Sequence, residues 1–389
     1  MRHPTSLWQT FALELDEGRP GFTKGPWFTM NAVLSLDGEL DADVLARTFH
    51  SLQRRHEALR TEILDDRLQL VHPEPRAALE VIDEVATHAP VALETPVRLR
   101  LAGTELALHL HHLVSDPVTL WETVSELAAG YTAALAGESL PPVEAQYWQY
   151  SMAEAEQARR IRDNAHDWWK SRVGDAKVCQ QPAGSPGSAL AFREDLLTAS
   201  EVETVERLTR QHRGTPLITF LAALTHGMNP HVGAGETFLF TTLFGKRDRP
   251  AWQRVLGPCI VPSFLAVPRP GGSLAADVPA VREAVVGCGR YARFPSSEVN
   301  AWIENRPRTP FFEYVPQQWP GLFRFGPVSA KVVSAAGPKD TGLADAMAIR
   351  VRKTTDGVLT GHFSADGIDW TEPLVHQVRS GFRTYLLAE

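Results

Sequence analysis

The stretch Glu105 to Leu135, ELALHLHHLVSDPVTLWETVSELAAGYTAAL, constrains the fold more than any other, because its apolar period changes part way along. From Glu105 to Leu110 the pattern alternates: Leu106, Leu108 and Leu110 share one face, and Ala107, His109 and His111 share the other. That period of two predicts a strand. From Leu120 the apolar residues Trp121, Val124, Leu127, Ala128, Tyr131 and Leu135 follow at intervals of three, four and seven, the spacing of a buried helix face. Asp116 and Pro117 predict the join, a carboxylate N-cap followed by proline at the first helical position. His112 falls on the leucine face or just past the strand end. A strand running through a short turn into a long buried helix argues for α/β or α+β layers.

The rest of the chain repeats this alternation. Val44, Leu45, Phe49, Leu52 and Leu59 predict an amphipathic helix over about residues 41–56 with Asp41 as its N-cap. Further on, helices are expected near 200–212 and from Pro216 to His226, a strand near Glu236 to Leu243, and a closing strand, turn and amphipathic helix. At roughly 150 residues per domain, 389 residues allow two or three domains. The segment 175–190, DAKVCQQPAGSPGSAL, breaks the apolar periodicity with Pro, Gly, Ser and Gln, so it is read as a linker between an N-terminal lobe, 1–174, and a C-terminal lobe, 191–389.

Several function classes are set aside at this stage. A net charge of −7 lacks the broad basic footprint of a nucleic-acid binder. No CxxC pair occurs among Cys179, Cys259 and Cys288, so a disulfide framework is not expected and a reducing cytoplasm is the default. Neither a secretory signal nor an apolar run of about 18 residues is present, which leads us to expect a cytosolic, unanchored protein. GxSxG, GxxxxGK[ST] and GxGxxG are absent.

The densest chemical signal is His109, His111, His112 and Asp116 at the strand–helix junction. A neutral imidazole can take the proton of an amine or alcohol as that group attacks an acyl carbon. Zinc competes as a reading, since His109 and His111 alternate onto one face, but neither a third ligand at metallohydrolase spacing nor HExxH follows, so no metal is assigned. Packed or surface histidines with Asp116 as a plain N-cap form the third alternative.

His111, His112 and Asp116 in HHLVSD resemble the HHxxxD core of the condensation domains of nonribosomal peptide synthetases, members of the chloramphenicol-acetyltransferase-like superfamily. Other blocks resemble that family in order. They are Ser6 and Gln9 in SLWQ, Arg55 to Thr61 in RHEALRT, and Gln146, Tyr147 and Tyr150 in QYWQY. Gly245 and Arg247 in FGKRD, Leu256 and Gly257 in LGPC, and Arg306, Arg308 and Pro310 in ENRPRTP continue the series. The resemblance covers roughly residues 5 to 387.

It implies an α/β fold of two acetyltransferase-like lobes in a V-shaped pseudo-dimer with a central tunnel. It implies that His112 is the base facing that tunnel. His111 and Asp116 are then structural, and Asp116 pairs with an arginine of the RHEALRT block, Arg55 before Arg60. Gly257, Pro117 and Ser115 are the expected substrate-side residues. Two departures stand out: Pro117 replaces the family's glycine and removes an N–H, and Val261 and Pro262 replace the Asn and Thr of the IGxFVNT block.

The implied activity is condensation of an acyl or aminoacyl thioester with an amine or hydroxyl acceptor. No bound cofactor is expected; the phosphopantetheine arm of a partner carrier protein is the substrate handle. No carrier or adenylation motif accompanies the domain, so it is expected to be free-standing and to meet acyl or peptidyl carrier proteins in trans, with a small-molecule or carrier-bound acceptor. An acyl-CoA-dependent O- or N-acyltransferase and a non-catalytic docking module are the alternatives. Assays with carrier-bound against CoA-bound acyl groups separate the first, and binding without turnover would mark the second.

Overall fold

The computed structural model describes residues 1–174, 178–182, 187–303, 308–315, 321–338, 347–354 and 356–388. The first part of the chain forms β1 (Arg2–Pro4), α1 (Leu7–Gly18), β2 (Thr29–Leu36), α2 (Ala42–Arg55), β3 (Thr61–Ile63), β4 (Leu68–Val71), β5 (Leu79–Val81), β6 (Val97–Ala102), β7 (Glu105–His111), α3 (Pro117–Leu135) and α4 (Tyr147–Trp169). The second forms β8 (Leu190–Leu197), α5 (Ala199–Gln211), α6 (Pro216–Met228), β9 (Thr237–Gly245), β10 (Ile260–Pro268), α7 (Leu274–Arg290), α8 (Ser296–Trp302), β11 (Phe311–Val315), β12 (Leu322–Phe325), β13 (Val328–Ala336), β14 (Met347–Lys353), β15 (Leu359–Ala365) and α9 (Glu372–Leu387). Among these residues no helix is long and apolar enough to cross a membrane.

The chain packs into two compact units, each discontinuous in sequence. Unit 1 comprises Met1–Gln157, Gly245–Val261 and Trp319–Gly342; unit 2 comprises Ala158–Phe244, Pro262–Gln318 and Leu343–Glu389. Contiguous lobes of 1–174 and 191–389 were expected, and the difference has a physical cause. Two later stretches return to unit 1, one to complete its sheet and one to neutralise a buried carboxylate. The expected linker, 175–190, lies outside the described residues at 175–177 and 183–186.

Unit 1 is built on a six-stranded sheet of order β12-β13-β2-β7-β6-β5, with a three-stranded sheet β1-β4-β3 beside it. The predicted strand is β7, whose Leu106, Leu108 and Leu110 enter the core with Leu34, Leu99, Phe49, Leu52, Leu120 and Leu127. Asp41 caps α2 as expected, its carboxylate accepting from Val44 N at 3.0 Å. Strand β13 pairs antiparallel with β2, Val332 opposite Leu34, and carries β12 with it. Phe323 then stacks on Trp121 at 6.0 Å and Phe325 meets Tyr131 edge-on at 5.9 Å.

Unit 2 has its own six-stranded sheet, β10-β9-β11-β14-β15-β8, and its own core of Phe240, Phe312, Trp169, Trp370 and Val378, among others. The predicted helices and strand appear there as α5, α6 and β9, and the closing pair as β15 and α9. In the family-like block at 306–310, Arg308 is bonded to Asp366 and Asp369, and Arg306 lies outside the described residues.

Phe325 is fully buried, so Phe325→Ala should cost about 3–5 kcal/mol through lost burial and the cavity left behind. Urea unfolding measures it; a loss below about 1 kcal/mol would mean that β12 contributes little to unit 1.

Candidate active site

The site is a turn between β7 and α3. β7 ends at His111, and His112 to Ser115 carry the chain to Asp116, the N-cap of α3, with Pro117 at the first helical position. His112 therefore lies just past the strand end.

The three histidines have different surroundings. His109 is fully buried and shares a hydrogen bond with Asn31 Oδ1 at 2.8 Å; burial, then the nearby Arg100 and Arg98, push it down to about 3. His111 is also fully buried and is pushed down by burial to about 3. It is therefore neutral, and its partners settle the tautomer. Nε2–H donates to the carbonyl of Gly25 at 3.2 Å, and Nδ1 accepts from Leu113 N–H at 3.3 Å. His112 has the opposite arrangement: Nδ1 lies 2.6 Å from the Ser115 carbonyl, which can only accept, so the neutral ring carries its lone pair on Nε2. That is the form a general base needs.

The turn is held from several directions. His112 N–H donates to Phe28 O at 2.7 Å. The indole Nε1–H of Trp8 donates to His112 O at 3.1 Å, and Gln9 Nε2–H to Leu113 O at 3.0 Å. Trp8 and Phe28 each place a ring 5.0 Å from the His112 ring, and their own centroids are 6.4 Å apart. The two rings thus form a corner around the imidazole. Ser6 and Gln9 form the capping box of α1, and the Tyr147 hydroxyl lies 2.8 Å from Ser6 Oγ and 3.0 Å from Pro258 O. Ser115, expected on the substrate side, is fully buried and donates its hydroxyl to His111 O at 3.0 Å.

Asp116 is the most heavily bonded group in the turn. Oδ1 accepts from Thr119 N and Thr119 Oγ1, both at 2.7 Å, and Oδ2 accepts from Cys259 N at 3.0 Å. Arg247 Nη2 reaches the two oxygens at 3.0 and 3.1 Å. Arg247 also donates to Gly257 O at 2.9 Å and to the carbonyls of Trp252 and Val255 at 3.1 and 2.6 Å. Burial disfavours the charged guanidinium, Asp116 outweighs it, and Arg247 titrates above its ordinary value. Gly257 has φ +139°, and a Cβ there would sit 2.0 Å from the Tyr147 ring, so only glycine fits. Its N–H and C=O are both taken up by Thr119 and Arg247.

The expected Arg55–Asp116 pair does not form. Arg55, at the C-terminal end of α2, binds Glu126 on α3, Nε to Oε2 at 2.7 Å; His56 and Arg254 join the same carboxylate at 3.0 and 3.2 Å. Burial opposes ionisation of Glu126, but hydrogen bonds from His56 and Arg55 bring it down to about 2. Arg60 donates Nε–H to Gln53 O at 3.2 Å and bonds His72 O. The polar block at the end of α2 thus neutralises Glu126, while Asp116 draws its cation from residue 247. The structure accordingly brings together His111, His112, Ser115, Asp116, Pro117 and Gly257 and leaves Arg55 elsewhere. Arg247, Trp8 and Phe28 are the neighbours that residue-by-residue reading did not assign.

A sequence model described as "Condensation domain" matches residues 94–306. "Nonribosomal peptide synthetase agiA" of Aspergillus flavus is 26% identical over 242 residues, 54% of this chain but only 3% of that protein's length. The SgcC5 protein of Streptomyces globisporus, solved in complex with (R)-(−)-1-(2-naphthyl)-1,2-ethanediol and sucrose, has a similar fold: TM-score 0.75, 20% identity, 98% of this chain and 97% of that one covered. The condensation domain of the Monacolin K polyketide synthase MokA superposes with TM-score 0.79 at 15% identity, over 100% of this chain and 98% of that one. The fold is the two-lobed, chloramphenicol-acetyltransferase-like one that the sequence resemblance implied.

Arg247→Ala and Asp116→Ala should each cost about 3–5 kcal/mol, since each strands a buried charge, and the double variant should cost less than their sum. A double-mutant cycle between Arg55 and Asp116 should give coupling near zero; a large coupling would restore the pairing expected from the sequence. On the acid side, unfolded imidazoles take up protons near 6.5 that His109 and His111 refuse until about 3, so stability falls as pH drops through this window, by about 2 kcal/mol each near pH 5. Glu126 adds a loss of up to about 3 kcal/mol as pH falls from 4.5 toward 2. Unfolding midpoints that stay flat between pH 7 and 5 would contradict the two buried neutral histidines.

Proposed function

This chain belongs to the condensation-domain family, and on that premise we propose that it joins a carrier-protein-bound acyl or aminoacyl thioester to an amine or hydroxyl acceptor, forming an amide or ester in natural-product synthesis. The observation that carries the proposal is the tautomer of His112. With Nδ1–H donating to Ser115 O, Nε2 is the basic nitrogen of the neutral ring, the atom to which the acceptor's proton would pass.

As the acceptor nitrogen or oxygen attacks the thioester carbonyl carbon, its proton passes to Nε2 and the new C–N or C–O bond forms. The C–S bond then breaks, and the leaving thiolate takes the proton from the imidazolium, which releases the phosphopantetheine arm as a thiol and restores the neutral ring. Asp116 takes no part in this relay, because both its oxygens are bound to Arg247, Thr119 and Cys259. Its task is to hold the start of α3 and hence the turn. Pro117 has no N–H to offer the carbonyl oxygen, so positioning of an already activated acyl group and the base at His112 carry most of the catalysis. SgcC5, with a similar fold, was solved with a diol, which supports hydroxyl as well as amine acceptors here.

His112→Ala should slow condensation by about 100- to 10,000-fold while the protein still unfolds in one cooperative transition, at a somewhat lower urea midpoint because a buried, hydrogen-bonded ring is lost. Intact-protein mass spectrometry of acyl-loaded carrier protein, with and without the enzyme and acceptor, follows acyl loss directly. Full activity in the variant would sink the assignment.

A further inference from the structure

Strands β11, β14, β15 and β8 lie side by side in the sheet of unit 2, and one face of them is taken up by helices. Lys353 on β14 bonds Glu206 of α5, Tyr314 on β11 meets Phe220 of α6, and Glu194 on β8 bonds Arg379 of α9. The alternate residues of each strand stand on the other face, where the register aligns them in rows. One row runs Glu313, Arg350, His362, Arg193 across the four strands. Two residues further along, Arg352 follows on β14 and Asp195 on β8. The row on the other side is small: Ala348, Ser364 and Ala191.

Side chains directly opposite on neighbouring strands are about 5 Å apart, and like charges placed so repel. Here the His362 imidazole has Arg350 on one side and Arg193 on the other, with Arg352 diagonally across. His362 titrates below its ordinary value, through lost hydration first and then through Arg350, Arg352 and Arg193. Arg352 is lowered as well, because lost hydration, Arg350 and Arg193 outweigh Glu313. Of the two carboxylates, Glu313 is engaged with Arg350, 3.6 Å from its Nε, and the Arg350 guanidinium lies 4.9 Å over the Phe311 ring. Among the described residues the side chains of Arg193, Arg352 and Asp195 make no hydrogen bond or ion pair. Arg193, Arg352 and His362 are all exposed. Two accessible guanidinium groups thus flank a neutral imidazole with their donors free.

We propose that this face of unit 2 binds the phosphate of a phosphomonoester, held by Arg193 and Arg352 above His362. Their strands are separated by one other, roughly 10 Å in all, which two long arginine side chains bridge from opposite sides. Donors arriving from β14, β15 and β8 suit a tetrahedral oxyanion better than a planar carboxylate, whose two oxygens a single guanidinium fork satisfies. The two unmatched guanidinium charges correspond to the charge of about −2 that a monoester carries near neutral pH. A phosphodiester brings one charge and leaves one guanidinium unmatched. Bound phosphate also favours protonation of His362, which then donates through both ring nitrogens. Ala348, Ser364 and Ala191 leave room beside the row for the group esterified to the phosphate. The site is independent of the role given to His112.

The test is a titration of the full chain with glycerol 3-phosphate at low salt, observing the imidazole resonances of His362 by NMR. Saturable binding is expected, with the His362 pKa higher in the complex than in the free protein. Dimethyl phosphate, a diester, and acetate should each bind about fivefold more weakly or worse. Arg193→Gln and Arg352→Gln should each raise the Kd for glycerol 3-phosphate about tenfold. Both side chains are exposed, so the urea midpoint should barely move. Arg207→Gln, an exposed position on α5, should leave the Kd as it was. Absence of saturable binding, or an unchanged Kd in both sheet variants, overturns the proposal, as does an equal loss in the α5 variant. Equal binding of dimethyl phosphate overturns the choice of a monoester, and equal binding of acetate the choice of phosphate. Binding requires no turnover, so failure here leaves the condensation reading untouched, and failure of that reading leaves phosphate binding as measured.

Discussion

A single buried carboxylate organises unit 1. Asp116 is almost completely shielded from water, and an ionised carboxylate in such a place must be matched by charge and hydrogen bonds or the unit does not hold. The match determines its surroundings in detail. Thr119 stands one turn into α3 where its N–H and hydroxyl can both reach the same oxygen. Arg247 comes from a separate part of the chain, and Cys259 adds a backbone N–H from the same stretch. Because Arg247 also grips the carbonyls of Trp252, Val255 and Gly257, the whole of 245–261 follows it into the unit. With the start of α3 fixed in this way, the four residues from His112 to Ser115 have little freedom left.

Within that turn, two adjacent imidazoles divide the work through opposite tautomers. His111 uses both nitrogens on backbone groups and ties the α1–β2 segment to the strand end. His112 spends Nδ1 on Ser115 and keeps basicity at Nε2. Helix α3 has a second charged anchor further along, where Glu126 is held by Arg55, His56 and Arg254. The helix that follows the HHLVSD turn is thus fastened at its N-cap and again near its middle.

Local features were legible in the sequence because local physics decides them. The alternation of Leu106, Leu108 and Leu110, the Asp116–Pro117 helix start and the Asp41 cap all depend on neighbours within a few residues, and the structure shows each of them. The HHLVSD turn was found by its residue types. The partner of Asp116 was not, since Arg55 and Arg247 are equally good cations and nothing in spacing reports that the second, 131 residues away, is the one that arrives. The role of Gly257 was hidden for a related reason: its φ of +139° and the Tyr147 ring that excludes a side chain are both consequences of tertiary packing. The return of β12 and β13 to the first sheet was equally invisible, because their alternation suits any open edge, and only the free side of β2 decides which one they take.

The discontinuity of unit 1 sets an order on biosynthesis. A ribosome adding roughly 5–20 residues per second completes β7 and the start of α3 on the order of ten seconds before Arg247 emerges. During that interval Asp116 has its cap hydrogen bonds but no cation, so the nascent strand–helix junction must keep its carboxylate hydrated. Drying of this turn, and with it the setting of the His112 ring, is therefore a late event in the life of the chain. The edge of β2 waits longer still, until residues 328–336 arrive to cover it.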